Sequence, residues 1–412
     1  MRPKRLGVAF VGSGFNAQFH LRGWTGVRDA DVVGVWSPNA RNAQGTARLA
    51  RELDLGPAKP YRSIAQMVAD PDVHAIWLCG PNQARVANVE EICDTVRRGR
   101  GDLIGIACEK PLARNVAEAR EVTRLVKEAG LRHGYLENQV FAPQLEIGRA
   151  LLWARGAALT GRPYLARAAE EHSGPHRPWF WQGKLQGGGV LNDMMCHSAL
   201  VVRHLLTKPG DKLSTVKPKR VTAHIASLKW TRPAYAKRLA QAMPGVNYRR
   251  APAEDFASVA IEFATDDGLT AIGEATTSWS FVGPGLRLSA ELLGPEYSMA
   301  WNTLDAGLRL FFSREVKGRA GEDLVEKQNA ETGQMPVVAE EWAAYGYTHE
   351  DRHFVRAFLG REKPRLTFDD GLDVVRLLMT AYQSAEQGRT LHFPPPGLDT
   401  FVPQVAQGRW KP

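Results

Sequence analysis

Long apolar runs are missing from this chain of 412 residues. No stretch approaches the roughly 18–20 residues that a bilayer-crossing helix takes, which argues against a membrane protein. The longest early run, residues 6–11, is also shorter than the roughly 7–15 residues of a secretory leader's apolar core. Arg2, Lys4 and Arg5 precede that run, but glycine-rich sequence follows it where a cleavage site would stand. Cysteine is scarce. Cys79, Cys93, Cys108 and Cys196 form no Cys-x-x-Cys pair, so neither a disulfide framework nor a thiolate zinc site is expected, and the thiols suit the cytoplasm. Concentrated base is lacking too. Lys plus Arg number 53 against 44 Asp plus Glu, a net +9, but the excess is scattered in small clusters without interleaved aromatics. That pattern does not suit nucleic-acid binding; an anionic substrate would account for part of it. No Gly-x-Ser-x-Gly elbow and no reactive-cysteine setting is present, which argues against nucleophilic hydrolysis. The pairs His172/His176 and His349/His353 have the i, i+4 spacing of metal ligands. No third ligand stands out, and no metal is expected.

What remains is an ordinary globular composition, 44% hydrophobic and 24% charged. The length suits two domains. In the first third, short β-rich runs at 6–11, 31–36, 74–79, 103–108 and 132–136 alternate with amphipathic stretches near 17–27, 40–54, 84–98 and 115–129. Alternation of this kind implies a parallel sheet with helical crossovers, an α/β doubly wound domain. Val8 to Val11 and Ala75 to Leu78 are apolar on both faces, as buried parallel strands are. From about residue 140 the texture changes. A Gly/Trp/His-rich loop at 172–189 leads into a helix at 190–206. Strands at 220–228, 256–263, 270–277, 287–294 and 297–302 follow, with helices at 350–359 and 369–387. This predicts an α+β domain with a large, open, mostly antiparallel sheet. The expected divisions are a first domain at 1–137, a second at 138–390, and an extended tail at 391–412.

Gly12-Ser13-Gly14-Phe15-Asn16-Ala17 follows the first strand and opens the first helix. In that place Gly12 suits a tight turn, Gly14 lets backbone approach a pyrophosphate, and Ala17 lets helix and strand pack closely. The helix N-terminus offers unbonded N–H groups to phosphates. A dinucleotide is therefore expected, with Phe15 and Asn16 beside it. The acid that usually ends the second strand is absent; Trp36-Ser37-Pro38-Asn39 stands there. Ser37 and Asn39 are candidates for the ribose hydroxyls, and Arg41 for a phosphate. NAD is favoured because no arginine directly follows Ser37, and NADP stays open. Pro81-Asn82 after the fourth strand is a candidate for the nicotinamide side.

Glu109-Lys110-Pro111 lies just past the fifth strand, and a lysine near a positive nicotinamide suits proton transfer. In Gly187-Gly188-Gly189-Val190-Leu191-Asn192-Asp193-Met194-Met195-Cys196-His197, Asp193 and His197 are four apart and share a helix face. His197 exchanges protons near neutral pH. His172, His176, Arg177, Trp179 and Trp181 fall in one loop and are candidates for holding substrate, with rings for sugar C–H faces and donors for hydroxyls or an anion.

These motifs, together with Glu137-Asn138, Phe141 and Pro143, stand in the order seen in Gfo/Idh/MocA oxidoreductases, and the chain resembles that family over nearly its whole length. The resemblance implies a Rossmann domain followed by an α/β domain whose sheet often builds homodimers or homotetramers. It implies NAD(P)-dependent chemistry at a secondary alcohol of a sugar, glycoside or polyol. It also implies Lys110, Asp193 and His197 as catalytic residues, with Glu109 and Asn138 at the cofactor. Arg85 departs from the pattern, in which histidine often follows the Pro-Asn turn, and is expected to alter the cofactor pocket. Residues 231–250 are an insertion. Some relatives resemble NAD-dependent glycoside hydrolases, so redox-neutral cleavage of an anionic glycoside stands as the alternative. A redox-sensing binding protein is the third class.

Overall fold

The computed structural model describes residues 4–305, 307–316, 318 and 323–412; Arg2 of the expected N-terminal basic cluster lies outside them. Two compact units divide the chain. The first holds Met1–Pro143 and Tyr345–Val375, the second Gln144–Ala344 and Arg376–Pro412.

In the first unit, β1 (Leu6–Val11), β2 (Ala30–Trp36), β3 (Lys59–Pro60), β4 (Ala75–Leu78), β5 (Gly105–Glu109) and β6 (Arg132–Leu136) form one sheet in the order β3-β2-β1-β4-β5-β6. Every pairing is parallel. Between them run α1 (Phe15–Trp24), α2 (Ala40–Glu52), α3 (Ile64–Val68), α4 (Arg85–Arg97) and α5 (Val116–Glu128). The order reverses at β1 and β4, so a crevice opens at their carboxyl ends, where such sheets take ligands. β1, β4 and β5 are buried throughout, which explains why their sequences show no polar alternation.

The first unit is discontinuous, and the sequence-based boundaries at 137/138 and 390/391 do not capture that. The helix Tyr347–Phe358 returns to the sheet. Phe354 packs so close to Gly134 that a Cβ there would stand 2.4 Å from its ring, and Phe358 meets Trp77 at 5.6 Å. Arg132 Nη1 donates to the carbonyls of Ala357 and Phe358 at 2.7 and 3.1 Å.

The second unit is built on β7 (Leu165–Glu171), β8 (Val216–Ala226), β9 (Phe256–Thr265), β10 (Thr270–Ser278), β11 (Arg287–Gly294), β12 (Tyr297–Asn302) and β15 (Leu391–His392), in the order β12-β11-β7-β10-β9-β8-β15. β13 (Leu308–Phe312) and β14 (Gly333–Val337) make a separate pair. All pairings of the large sheet are antiparallel except β7 with β10. The helix Val190–Leu206, buried along its whole length, packs on this sheet. Residues 391–412 are not simply an extended tail, because β15 adds a strand to the sheet beside β8. β7 is absent from the sequence expectation. Its Leu-Ala-Arg-Ala-Ala-Glu-Glu run favours helix, and tertiary pairing on both edges overrides that preference.

Candidate functional site

At the first βα turn, Gly12 has φ +120°, and a Cβ there would stand 2.9 Å from the Cys79 carbonyl, so only glycine fits. α1 starts at Gly14 with no capping side chain and no acid in its first turn. A Cβ on Gly14 would meet nothing within 4 Å, and Asn16 Oδ1 is buried without a hydrogen-bond partner. An open approach, uncapped N–H groups and an unused buried acceptor fit a dinucleotide's pyrophosphate. Ser37 sits at this turn, its Oγ accepting from Ser13 Oγ at 2.9 Å. Asn39 caps α2, its Oδ1 accepting from the Arg41 and Asn42 amides at 3.0 and 3.3 Å, so its acceptor is spent on backbone. Arg41 and Phe15 are exposed. Pro81 precedes a short turn that holds buried Asn82.

Arg85, expected to alter the cofactor pocket, lies beneath the loops that follow β4 and β5. Its side chain is buried, and its guanidinium donates to the carbonyls of Gly80 (3.1 Å), Glu109 and Pro111 (3.2 Å). It also reaches Asn82 Oδ1 at 3.4 Å. One side chain thus ties the ends of β4 and β5 together. Asn138 is likewise an anchor. It is buried and its Nδ2 donates to the Tyr345 carbonyl at 2.7 Å.

Lys110 is half-buried, and its amide donates to Glu109 Oε2 at 3.1 Å. Behind it lies an ionisable cluster that the sequence did not disclose. His20, fully buried on α1, bonds Glu109 Oε1 through Nε2 (2.8 Å) and Asp351 Oδ1 through Nδ1 (2.9 Å). Trp77 Nε1 donates to the same Asp351 oxygen at 2.9 Å. Glu350 is buried with neither carboxyl oxygen partnered, and burial raises its proton affinity well above the usual. Glu137, past β6, is pushed up to about 8 by burial, with Lys110 pulling the other way. His20, Glu350 and Asp351 place donor atoms within 4.8 Å of one another, but both His20 nitrogens already meet carboxylates. Spacing cannot reveal this group, since its members come from α1, β5 and a helix more than 200 residues later.

In the second unit, Gly188 and Gly189 admit side chains of the protein itself. A Cβ on Gly188 would fall 1.9 Å from the Tyr382 hydroxyl, and one on Gly189 would fall 2.5 Å from the Glu254 carbonyl. The Tyr382 hydroxyl accepts from the amides of Gly189 (3.0 Å) and Asn192 (3.2 Å) and donates to Glu254 Oε1. Glu254 Oε1 also accepts from Gly189 and Leu191 at 2.9 and 3.1 Å. This pair caps the helix that carries Asp193 and His197. Burial raises the Glu254 carboxyl to about 7. Asp193 and His197 are both buried on that helix. His197 Nε2 lies 3.6 Å from Glu170 Oε2 at the end of β7, a neighbour that the sequence did not point to.

Trp181 requires a correction. It is buried, donates to the Pro175 carbonyl at 3.1 Å, and packs against Trp230, Trp279 and Tyr248 at 5.0, 5.1 and 5.6 Å. It is core, not a surface for stacking sugar. His172 is buried as well, its Nδ1 accepting from the Gly174 amide at 2.9 Å, and so shapes the loop. Trp179 is half-buried and stacked on Phe180 at 3.8 Å; His176 and Arg177 are exposed.

The model of an oxidoreductase family with an NAD-binding Rossmann fold matches residues 6–135, and that of the GFO/IDH/MocA C-terminal domain matches residues 157–299. The 1,5-anhydro-D-fructose reductase of Ensifer adhaerens is 30% identical over 181 residues, 43% of this chain and 49% of that protein. The D-xylose dehydrogenase of Paenarthrobacter nicotinovorans is 26% identical over 219 residues, 52% of this chain and 50% of that protein. The chain thus spans about half the length of these relatives. The crystal structure of GenD2 from gentamicin A biosynthesis in complex with NAD has a TM-score of 0.75 at 26% identity, covering 95% of this chain and 97% of that one. None of these relatives is named a glycosidase, so they do not specifically support glycosidic cleavage. With both units matched, the chain belongs to the GFO/IDH/MocA oxidoreductase family, and its first unit carries an NAD-binding Rossmann fold.

Proposed function

We propose that this protein is an NAD-dependent dehydrogenase acting at a secondary alcohol of a sugar or polyol. One observation carries the proposal. The 12–17 turn follows β1 and Lys110 follows β5, so the phosphate-binding loop and the amine stand at the carboxyl ends of strands in one parallel sheet. The reductase and the dehydrogenase named above support the substrate class. When bound, NAD supplies the hydride acceptor. Lys110 takes the hydroxyl proton as an amine, or as an ammonium polarises the oxygen becoming a carbonyl. His197 is the second proton-handling group, oriented by Glu170, and Asp193 positions a substrate hydroxyl. Ser37, the Asn39 amide and Asn82 meet the ribose hydroxyls, and the lack of an arginine directly after Ser37 favours NAD over NADP. His176, Arg177 and Trp179 contribute to substrate choice.

Replacing Lys110 by Ala is expected to lower turnover by about 10²–10⁴-fold, the usual share of a positioned proton-transfer group. The dissociation constant for NAD, read by fluorescence titration, should stay within twofold. Turnover is followed as NADH absorbance over a panel of sugars and polyols. A Lys110→Ala enzyme as fast as the parent on the responsive substrate would end the assignment.

The face of the large sheet opposite the helix Val190–Leu206 carries exposed Arg167 paired with Glu274 (2.7 Å) and Glu291 (3.0 Å). We propose that copies of the chain associate through this face as a homodimer or homotetramer working in the cytoplasm. Light scattering that returns a single-chain mass at micromolar concentration would rule the assembly out.

A further inference from the structure

Both ring nitrogens of His20 face carboxylates: Glu109 on one side at 2.8 Å, and Asp351 on the other at 2.9 and 3.0 Å to its two oxygens. A neutral imidazole has one N–H and one lone pair. Two ionised carboxylates as acceptors call for two N–H donors, which only the imidazolium has. The chain of contacts continues at both ends. Trp77 Nε1 donates to Asp351 and fixes that carboxylate, while Glu109 accepts the Lys110 amide through its second oxygen at 3.1 Å. Arg85 holds the carbonyls on either side of Lys110. We propose that His20 is a positioning residue for Lys110: a buried imidazolium, clamped between Asp351 and Glu109, that fixes the Glu109–Lys110 backbone and balances the Glu109 carboxylate beside the lysine. This deepens the assignment of Lys110 as the proton-handling amine and rests on it.

The charge environment makes the effect directional. Facing His20 are Glu109 from β5, and Glu350 and Asp351 from the helix Tyr347–Phe358. Buried Glu137 past β6, buried Arg85 from α4 and half-buried Cys79 after β4 complete the set around them. Among these, His20 is the cation inserted between two acids. The imidazolium compensates the Glu109 carboxylate that neighbours Lys110; without it that carboxylate favours the ammonium over the amine that accepts a proton. Replacing His20 by Gln keeps one donor and one acceptor but removes the charge, and Asp351→Asn removes the carboxylate that holds the ring protonated. Each variant is expected to raise the midpoint of the alkaline-rising limb of kcat by at least half a pH unit. Each is expected to lower kcat at neutral pH at least about threefold, the fold-change that half a pH unit makes on that limb, with KM and the NAD dissociation constant within twofold. Glu350→Gln, which leaves the His20 contacts intact, should leave the profile in place.

Two NMR measurements on the apo protein, the second after reductive methylation, keep the inference testable apart from turnover. Nitrogen-15 shifts of His20, assigned with His20→Gln or, should that chain not fold, with Asp351→Asn, should remain those of an imidazolium at pH 8. The carbon-13 resonance of dimethylated Lys110, assigned by Lys110→Arg, should titrate below exposed lysines and move upward in Asp351→Asn. A neutral His20 ring at pH 7.5, or an unmoved Lys110 titration, overturns the proposal. A chain that turns over no sugar or polyol while both NMR results hold would instead remove the dehydrogenase assignment and leave the relay standing.

Discussion

Two glycines that look alike in the sequence answer to different physics. Gly14 has φ −76° and open space where a Cβ would go. Alanine there should fold normally, with stability within about 0.5 kcal/mol of the parent, yet put a methyl group where a pyrophosphate must approach. Gly14→Ala is expected to weaken NAD binding at least tenfold, about 1.4 kcal/mol. Gly189 is the converse. Its Cβ would stand 2.5 Å from the Glu254 backbone carbonyl and 2.7 Å from its carboxylate, neither of which can yield cheaply. Gly189→Ala should cost about 1–3 kcal/mol of stability, the range for forced overpacking, and lower the unfolding midpoint seen by circular dichroism. If both variants bind NAD normally, Gly14 is not the phosphate approach; if Gly189→Ala melts with the parent, the cap geometry is wrong.

At the scale of elements, the helix Val190–Leu206 depends on two residues far away in sequence. Tyr382 accepts from two of its first amides, and Glu254 from two as well. Tyr382→Phe leaves the ring and removes the acceptor, so buried N–H groups lose a partner at about 1–3 kcal/mol. The expected readout is a lower unfolding midpoint together with faster amide exchange at Gly189 and Asn192; unchanged exchange there would show that the hydroxyl does not cap the helix. This helix also marks what sequence could disclose. Its span was legible to the residue, because an apolar-rich stretch free of glycine and proline begins after three glycines and ends before Thr207. β11 and β12 were legible for the same kind of reason, alternation bounded by turns. β7 was not, since its alanines and charges favour helix locally and only pairing with β10 and β11 makes it a strand. The motif residues Gly12, Lys110, Asp193 and His197 announced themselves by spacing. Their supports, His20, Asp351, Glu170, Glu254 and Tyr382, carry no spacing signal, because the fold alone brings them near.

Across the whole molecule, buried ionisable groups bias stability toward acid. Glu137 in the first unit is raised to about 8 and Glu254 in the second to about 7, both chiefly by burial. Each holds a proton in the native state that the unfolded chain releases near the ordinary glutamate value of about 4.3. Between that value and the raised one, the native state binds more protons than the unfolded state, so stability falls as pH rises. His20 acts in the same direction. Its affinity is raised well above the usual by Asp351 and Glu109 despite the opposing effect of burial. Its contribution is therefore complete below about 6.5 and is lost as pH climbs through the native value. The unfolding midpoint should thus decline steadily from pH 5 to pH 9, as calorimetry at constant ionic strength would record. Glu137→Gln and Glu254→Gln should each flatten part of that decline, Glu254→Gln mainly below about 7 and Glu137→Gln up to about 8. A midpoint that climbs through this window would mean that these carboxyls are ionised in the native protein, and with it that the environments described for them do not exist.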